Sequence, residues 1–442
     1  MNGTNTAVVA LGKIGLPLSV QFARKGACVV GADVNQAVVD LVNEGREPFP
    51  GEFGLQDALR VVVQDGRLTA TTDTEEAVRS SQAVVVVVPL FVDEKGIPDF
   101  RSMDAATEVI GRGLQAGSLV SYETTLPVGT TRQRFAPLLE KHSGLVAGRD
   151  FHLAFSPERV LTGRVFADLR RYPKLVGGLT AECGLAAKKF YESVLDFDVR
   201  TDLPQANGVW DLGSCEASEM AKLAETTYRD VNIGLANQFA KFASKSGIDI
   251  FKVIEACNSQ PYSHIHQPGI AVGGHCIPIY PQMYLWNDPD ATVVRAAREA
   301  NWSMPSHAVD LLERAHGALE GQVVVVLGAS YRGGVKETAF SGVFAVCDEL
   351  MKRGAVVSVH DPMYSPEEMA ALGFSPFTRG DHADAAVLQA DHAEYATWGP
   401  QDIQGIRTLL CGRSTHLSNL ITHCCVVYVD GRVAQPETTL TT

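Results

Sequence analysis

One cysteine, Cys276, stands in a backbone setting that favours chemistry over packing. The segment 268–278 places three glycines and two prolines around its thiol. Glycines let a loop lie close to a ligand, and a thiolate exposed on such a loop is a strong nucleophile, although a lone cysteine is more often a small core residue. His275 precedes it, but adjacent side chains rarely face each other, so we do not expect a direct Cys–His couple. The spacing of His264, His266 and His275 matches no standard set of metal ligands, so we predict no metal site.

A second chemical signal lies near the start of the chain, where residues 10–15 form a glycine turn between an apolar run and a helical pattern. Gly12 lets the backbone approach a pyrophosphate, Gly15 lets the helix pack on the strand, and Ala10 replaces the first glycine of the usual fingerprint. The N–H groups of the helix start would face the phosphates. Asp33 can accept the hydroxyls of an adenosine ribose and would repel a 2′-phosphate, so it favours NAD over NADP. Together with the βαβ pattern, it also favours a cofactor site over a tight turn that binds no ligand. The cofactor-binding residues predicted here are Gly12, Lys13, Ile14, Gly15 and Asp33.

The elements that must position these residues alternate at both ends of the chain. A helix is predicted at residues 14–25 from its periodicity. Apolar runs predict strands at 6–11, 28–33, 83–89, 119–122, 152–155 and 174–177. Late in the chain the order strand, glycine turn, helix, strand returns, at 322–327, 341–352 and 356–361.

The middle of the chain is helical. Residues 215–245 are rich in Ala, Glu, Lys and Leu without Pro, which predicts one extended helix or a near-continuous pair. Helices are also expected at 250–256 and 291–301, with a functional loop at 267–281 between them. The fold class predicted is α/β, with two Rossmann-like, doubly wound domains joined by a central helical domain.

Composition bounds the function classes. The 442 residues are 45% hydrophobic and 20% charged with a net charge of -13, which is typical of a globular protein and does not favour nucleic-acid binding. The longest apolar run, 83–90, is too short to span a bilayer, and the N-terminus lacks a secretory pattern, so we expect no membrane association. Nine cysteines without zinc-like spacing favour free thiols in the cytoplasm.

Several motifs in order resemble the UDP-glucose/GDP-mannose dehydrogenase family over nearly the whole chain, and most closely its UDP-N-acetylhexosamine branch. Besides the glycine turn with Asp33 and the Gly-Gly-His-Cys loop, the matching segments are 123–127 with 129–131, 156–159, 222–225, 331–332 and 361–362. The resemblance implies an NAD-dependent enzyme that oxidises the C6 hydroxyl of a nucleotide sugar to the acid in two steps. It further implies an NAD-binding domain at 1–205, a central helical domain at 206–312 and a nucleotide-sugar domain at 313–442. The long middle helix suggests a homodimer, as in the family, and the alternative left open is that it acts as an intramolecular spacer.

The resemblance also implies roles for individual residues. Cys276 would form a thiohemiacetal and then a thioester, Lys222 would stabilise the oxyanion, and Glu158 would act as general base or position water. Thr125 and Thr226 complete the predicted catalytic set, with Thr125 and Pro89 also near the cofactor. The predicted substrate-binding residues are Glu158, Arg159, Lys222, His266, Gly273 and Arg332.

Four positions depart from the family pattern. Thr226 replaces an asparagine, Tyr280 an aspartate, Ala339 an arginine and Leu90 a threonine. The alternatives left open are a UDP-glucose or GDP-mannose 6-dehydrogenase and a catalytically impaired nucleotide-sugar-binding relative. A two-electron dehydrogenase of the β-hydroxyacid type would leave the cysteine loop unexplained.

Overall fold

The computed structural model describes residues 4–93, 95–161, 163–274, 276–412, 420 and 422–436. His275, which the sequence analysis considered as a partner of Cys276, lies outside the described residues. The chain divides into two compact units, Met1–Glu225 and Thr226–Thr442.

The first unit is built on a large twisted sheet. Its strands are β1 Asn5–Val9, β2 Cys28–Ala32, β3 Leu68–Thr71, β4 Ala83–Val86, β5 Phe91–Val92, β6 Pro98–Asp99, β7 Leu119–Tyr122, β8 His152–Phe155, β9 Lys174–Gly178 and β10 Val209–Asp211. Among the described residues, eight of them pair in the order β10-β9-β8-β7-β4-β1-β2-β3, while β5 and β6 form a short ribbon. The central strands are almost fully apolar and buried, as expected for a parallel sheet covered on both faces.

Helices cover this sheet and connect its strands. They are α1 Gly15–Arg24, α2 Gln36–Asn43, α3 Leu55–Gln64, α4 Thr74–Arg79, α5 Arg101–Gly113, α6 Ala136–Ser143, α7 Val165–Arg171 and α8 Ala181–Val194, with a π-helical turn at Thr131–Phe135. The buried side chains of α1, α3 and α8 pack on β1, β2 and β9 in one apolar core.

One strand pair departs from the parallel pattern predicted for this sheet. β9 runs antiparallel to β8, and β10 follows β9 in parallel. The connecting helix α7 has seven residues, about 10 Å, and β9 begins three residues after it ends. The chain therefore does not return to the opposite edge of the sheet, so β9 begins at the edge where β7 and β8 end.

A single helix of 32 residues, α9 Cys215–Ser246, occupies the region predicted as one helix or two. Its only mid-helix glycine among these residues, Gly234, has a packing reason. A Cβ there would lie 2.9 Å from the carbonyl oxygen of Ala297, so glycine lets the helix at Thr292–Trp302 approach closely.

The second unit holds a smaller sheet after the helical segment. The helices are α10 Ile250–Asn258, α11 Tyr280–Asn287, α12 Thr292–Trp302, α13 Met304–His316, α14 Val343–Lys352 and α15 Pro366–Ala371, with a 3-10 turn at Ala393–Thr397. The strands are β11 Val323–Leu327, β12 Val356–His360, β13 Ala385–Leu388, β14 Thr408–Cys411, β15 Cys425–Tyr428 and β16 Val433–Ala434. Their order is β12-β11-β13-β14-β15-β16, parallel except for β16.

The predicted fold class is confirmed, since parallel-dominated sheets stand in the N- and C-terminal parts with a helical segment between them in the chain. The predicted loop at 267–281 ends slightly early, because α11 begins at Tyr280. Among the described residues, no helix combines the length and apolar character needed to cross a membrane.

Candidate active site

The turn between β1 and α1 is held by backbone contacts to the end of β2. The N–H of Ala10 donates to Ala32 O at 2.7 Å, and the N–H of Leu11 donates to Asp33 Oδ2 at 2.8 Å. Ala10 adopts a φ of 78°, the left-handed conformation that glycine takes more easily, which explains why the family uses glycine there. The turn therefore keeps the fingerprint geometry despite its alanine.

The two remaining glycines of the turn serve different purposes. A Cβ on Gly15 would lie 1.9 Å from Ala10 O, so only glycine allows α1 to begin this close to the strand end. A Cβ on Gly12 would meet no protein atom within 4 Å, so the space beside it faces outward. Ile14, the residue before α1, makes no side-chain cap, and exposed Lys13 lies beside it. The start of α1 therefore has no side-chain cap, and its positive dipole end suits a phosphate.

Asp33 is half-buried and keeps acceptor capacity for a ribose. Each carboxylate oxygen accepts one backbone hydrogen bond, Oδ2 from the N–H of Leu11 and Oδ1 from the N–H of Asn35 at 2.9 Å. A carboxylate oxygen has two lone pairs, so both can also accept a hydroxyl. The residues of this turn thus fit NAD.

The turn after β11 in the second unit matches the turn after β1, and Asp361 binds its backbone. The N–H of Gly328 donates to His360 O at 2.7 Å, as Ala10 does in the first unit, so the two turns share one geometry. Asp361, however, is buried, with Oδ2 accepting from the N–H groups of Ala329 and Ser330 and lying 3.1 Å from His392 Nε2. With its carboxylate enclosed in this way, Asp361 does not present itself to a ribose as Asp33 does.

A buried charged cluster lies where β7 and β8 end and β9 begins. Lys174 Nζ lies 2.6 Å from Glu123 Oε2 and 3.3 Å from Glu158 Oε2. The hydroxyl of Tyr191 donates to Glu123 Oε1 at 2.6 Å. Glu158 also accepts from the N–H of Arg159 at 2.6 Å, so its carboxylate is fixed in place.

The surroundings of the cluster shift the pKa values of its two carboxyls in opposite directions. Burial raises the pKa of Glu123 to about 7, although the Lys174 charge opposes this. Burial also disfavours the ionised form of Glu158, but Lys174 and the Arg159 N–H outweigh it and hold the pKa of Glu158 below its ordinary value. The two carboxylates outweigh burial at Lys174 and raise the pKa of its ammonium. Of the two carboxyls, Glu158 therefore favours its ionised form and Glu123 favours its protonated form.

The segment after β8 is joined to α9 through Lys222 and Arg159. Lys222 is buried, and its Nζ donates to the carbonyl oxygen of Glu158 at 2.5 Å. Arg159 is half-buried and meets the two carboxylate oxygens of Glu225 through Nε and one terminal nitrogen, each at 3.2 Å. Much of its hydrogen-bonding capacity is thus used inside the protein.

Thr125 is buried just after β7, and Pro89 is exposed just after β4. The segment following Thr125 is anchored by Glu219 of α9, which accepts from the N–H of Gly129 at 2.6 Å and of Thr131 at 2.9 Å. Burial raises the pKa of Glu219 to about 7.

In the second unit, Cys276 is exposed and lies in the turn that leads into α11. Its carbonyl oxygen accepts from the N–H groups of Ile279 and Tyr280, at 3.2 and 3.0 Å. Just before it, a Cβ on Gly273 would lie 2.6 Å from Tyr331 Cβ and 2.8 Å from Phe340 O. Only glycine therefore lets the cysteine loop lie against the loop that carries Arg332.

Arg332 is half-buried on this neighbouring loop. Its guanidinium makes long hydrogen bonds within the loop, to Tyr331 Oη at 3.3 Å and Gly333 O at 3.4 Å. These two bonds use only part of its donor capacity, so the guanidinium of Arg332 can also donate to a phosphate.

Three more residues considered in the sequence analysis lie in the second unit, namely His266, Thr226 and Ala339. The backbone N–H of His266 donates to Asn232 Oδ1 at 3.0 Å, and burial, with the charge of Arg229, lowers the pKa of its half-buried imidazole. Thr226 is fully buried on α9, one turn beyond Lys222. The carbonyl of Ala339 accepts from the N–H of Gly274 at 3.2 Å.

Sequence reasoning did not single out Lys174 or assign Glu123 a role. The available signal was a lysine opening the otherwise apolar strand 174–178, since an unpaired charge would be costly there. No group of three or more His, Cys, Asp or Glu among the described residues is placed to hold a metal ion.

Comparison with known proteins decides the family. Models of the UDP-glucose/GDP-mannose dehydrogenase family match in chain order, the NAD-binding domain at residues 4–195, the central domain at 216–303 and the UDP-binding domain at 325–414. The chain belongs to this family. This confirms the resemblance inferred from its motifs.

Named relatives agree with the family match. A UDP-N-acetyl-D-mannosamine dehydrogenase from Pyrococcus horikoshii is 34% identical over 404 residues, covering 88% of this chain and 90% of the relative. An NDP-N-acetyl-D-galactosaminuronic acid dehydrogenase from Ralstonia solanacearum is 32% identical, with 88% and 91% covered. The solved structure of the Pyrococcus horikoshii enzyme superimposes with a TM-score of 0.84 at 30% identity, covering 96% of this chain and 99% of that one.

The family assignment defines the activity. The protein is an NAD-dependent dehydrogenase that oxidises a nucleotide sugar to the uronic acid. The predictions of an enzyme, of NAD as cofactor and of a nucleotide-sugar substrate are confirmed.

Proposed function

We propose that the substrate is a UDP-N-acetylhexosamine whose C6 hydroxyl is oxidised through a covalent thioester on Cys276. The observation that carries this proposal is the exposed Cys276 on a glycine loop packed against the Arg332 loop. The relatives named for N-acetylmannosamine and N-acetylgalactosaminuronic acid support an acetamido sugar. The family's UDP-binding domain, matched at 325–414, supports UDP.

Gly12, Lys13, Ile14, Gly15 and Asp33 would hold the NAD, with Pro89 and Thr125 beside it. NAD supplies the hydride acceptor for each of the two oxidations. Lys222, as a fixed buried cation, stabilises the negative charge that develops on the C6 oxygen when the alcohol loses its proton and hydride. Thr226 donates a hydrogen bond from its hydroxyl, in place of the asparagine amide usual in the family.

The second oxidation needs a covalent step. The Cys276 thiolate adds to the carbonyl carbon of the aldehyde and forms a C–S bond, giving a thiohemiacetal. Loss of its C6 hydride and hydroxyl proton gives the thioester. Water then breaks the C–S bond, releasing the acid and returning the thiol, with Thr125 near the reacting water.

Glu158 acts in the hydrolysis by orienting this water. Its fixed, ionised carboxylate suits an acceptor for the water's proton, and its low pKa favours orientation over strong basicity. Arg332 binds the diphosphate, with His266 and the Gly273 backbone contacting the substrate. Arg159, held by Glu225, is proposed to contact it through its remaining N–H groups.

The test is NADH formation with UDP-GlcNAc, UDP-ManNAc, UDP-GalNAc, UDP-glucose and GDP-mannose. We expect two NADH per sugar for one UDP-N-acetylhexosamine, with acid formation lost in Cys276→Ser. Cys28→Ser is the matched control, because Cys28 is the other cysteine with an exposed side chain among the described residues. Turnover of UDP-glucose or GDP-mannose instead would overturn the sugar assignment. Binding of NAD and UDP-sugars without any NADH would identify a catalytically impaired relative.

We further propose domain bounds of 1–205, 206–312 and 313–442, and a homodimer formed through the central helical domain. Exposed apolar side chains recur along one face of α9, at Tyr228, Leu235, Phe239 and Phe242. Such a face favours contact with a second copy. Phe242→Glu is expected to shift the mass measured by light scattering from dimer to monomer. All nine cysteines are free thiols, which supports a cytoplasmic location.

A further inference from the structure

A chain of buried polar side chains begins at the start of the cysteine loop. Asn237 of α9 accepts from the N–H of Gly269 at 3.0 Å and donates to Asn301 Oδ1 at 2.8 Å. Asn301 of α12 in turn donates to Asp230 Oδ1 at 2.7 Å. The three side chains are almost fully buried, so each bond replaces hydration that the site has lost.

The same chain continues to the other end of the loop. Arg298, one turn before Asn301 on α12, has its Nε 3.3 Å from Asp230 Oδ2. One terminal nitrogen of Arg298 donates to the carbonyl oxygen of Ile277, the residue after Cys276, at 3.4 Å. Arg298 is 2% exposed and Asp230 is fully buried, so the ion pair is enclosed by protein.

A network that only tied α9 to α12 would need no contact with the loop. A separate tie joins α9 to the residue that follows α12, between Lys241 Nζ and Ser303 Oγ at 2.9 Å. The buried chain instead reaches backbone atoms at Gly269 and Ile277, on either side of Cys276. A buried ion pair is weak evidence for added stability, so the contacts with the loop are the feature that calls for a role.

We propose that Asn237, Asn301, Asp230 and Arg298 form a clamp that fixes both ends of the loop 269–277 and thereby positions Cys276 for the second oxidation. These four are positioning residues, since none is assigned a contact with substrate. The inference rests on the proposed role of Cys276 as nucleophile. It predicts that loosening the clamp impairs the thiol-dependent oxidation and leaves the first oxidation intact.

The test uses the double variant Asp230→Asn/Arg298→Met, which removes both charges together and keeps most of the side-chain volume. Asn237→Ala is a second variant, which releases only the Gly269 end and serves if the double variant does not fold. Lys241→Met is the matched control, because it breaks a polar contact at the same helix pair away from the loop. Stopped-flow single turnovers with excess NAD resolve the first and second NADH.

We expect the clamp variants to form the first NADH at the wild-type rate and the second about 100-fold more slowly, the loss expected from a reacting group displaced by about 1 Å. Peptide-level alkylation of Cys276 should change relative to Cys28, whereas Lys241→Met changes neither readout. If Cys276→Ser blocks acid formation, two results for the clamp variants overturn the clamp. These are equal slowing of the first and second NADH, or an unchanged rate of the second NADH. If Cys276→Ser still releases two NADH, the proposed function itself fails.

Discussion

Gly15→Ala and Gly12→Ala each add one methyl group to the NAD turn, and we expect the first to lower stability and the second to weaken NAD binding. In Gly15→Ala the new Cβ would lie 1.9 Å from Ala10 O, a backbone atom. Carbon and oxygen rarely approach within about 3.3 Å, so the start of α1 must move by more than about 1 Å. Overpacking of this kind costs about 1–3 kcal/mol, and at about 2–4 °C per kcal/mol the melting temperature should fall by several degrees.

In Gly12→Ala the folded protein should be unaffected, because the added methyl meets no protein atom within 4 Å. The methyl instead occupies the space through which the pyrophosphate approaches the backbone. Losing one charge-assisted hydrogen bond costs about 1.5–3 kcal/mol, which corresponds to a roughly 10- to 100-fold higher Kd for NAD.

The assay pairs thermal melting without ligand with calorimetric titration of NAD. Gly208→Ala is the control, since its Cβ also meets no atom within 4 Å but lies before β10, away from the turn. The reasoning is refuted if Gly12→Ala binds NAD as tightly as Gly208→Ala, or if Gly15→Ala melts at the wild-type temperature.

Three further outcomes are expected. Lys174→Met should cost about 3–5 kcal/mol of unfolding free energy in denaturant titrations, because it removes the cation from buried Glu123 and half-buried Glu158, and adding Glu123→Gln should restore part of it. The pKa of Glu219 is about 7 in the folded protein against 4.5 unfolded, so the native state binds its proton more tightly and stability falls as pH rises through that interval. The melting temperature measured against pH should therefore fall less steeply in Glu219→Gln. Gly273→Ala should slow acid formation with little change in NAD affinity, since its Cβ would displace the cysteine loop from Tyr331.

The sequence by itself determined those features that depend on neighbours along the chain. The glycine turn at 10–15 was predicted because its geometry needs small residues at set positions, and Asp33 follows from the length of one βαβ unit. The strands at 119–122 and 152–155 were predicted with the bounds that the structure has, because their short apolar runs depend only on local sequence. Cys276 stood out because its loop composition is unusual.

Only the tertiary structure brought Lys174 to Glu123 and Glu158. These residues are 51 and 16 positions away along the chain, and they meet because β9 runs antiparallel to β8. Strand direction depends on how far the short helix α7 carries the chain, which periodicity alone does not specify. The sequence therefore showed a lysine in a strand and could not show its partners.

The aspartates that directly follow β2 and β12 also show the difference between what the sequence and the tertiary structure determine. Asp33 and Asp361 occupy matching places in two similar strand-turn-helix patterns, and nothing in either pattern separates them. In the folded chain Asp361 is buried against His392, whereas Asp33 keeps a partly exposed carboxylate. Burial depends on residues distant in the sequence, so which aspartate can meet a ribose is decided by tertiary packing.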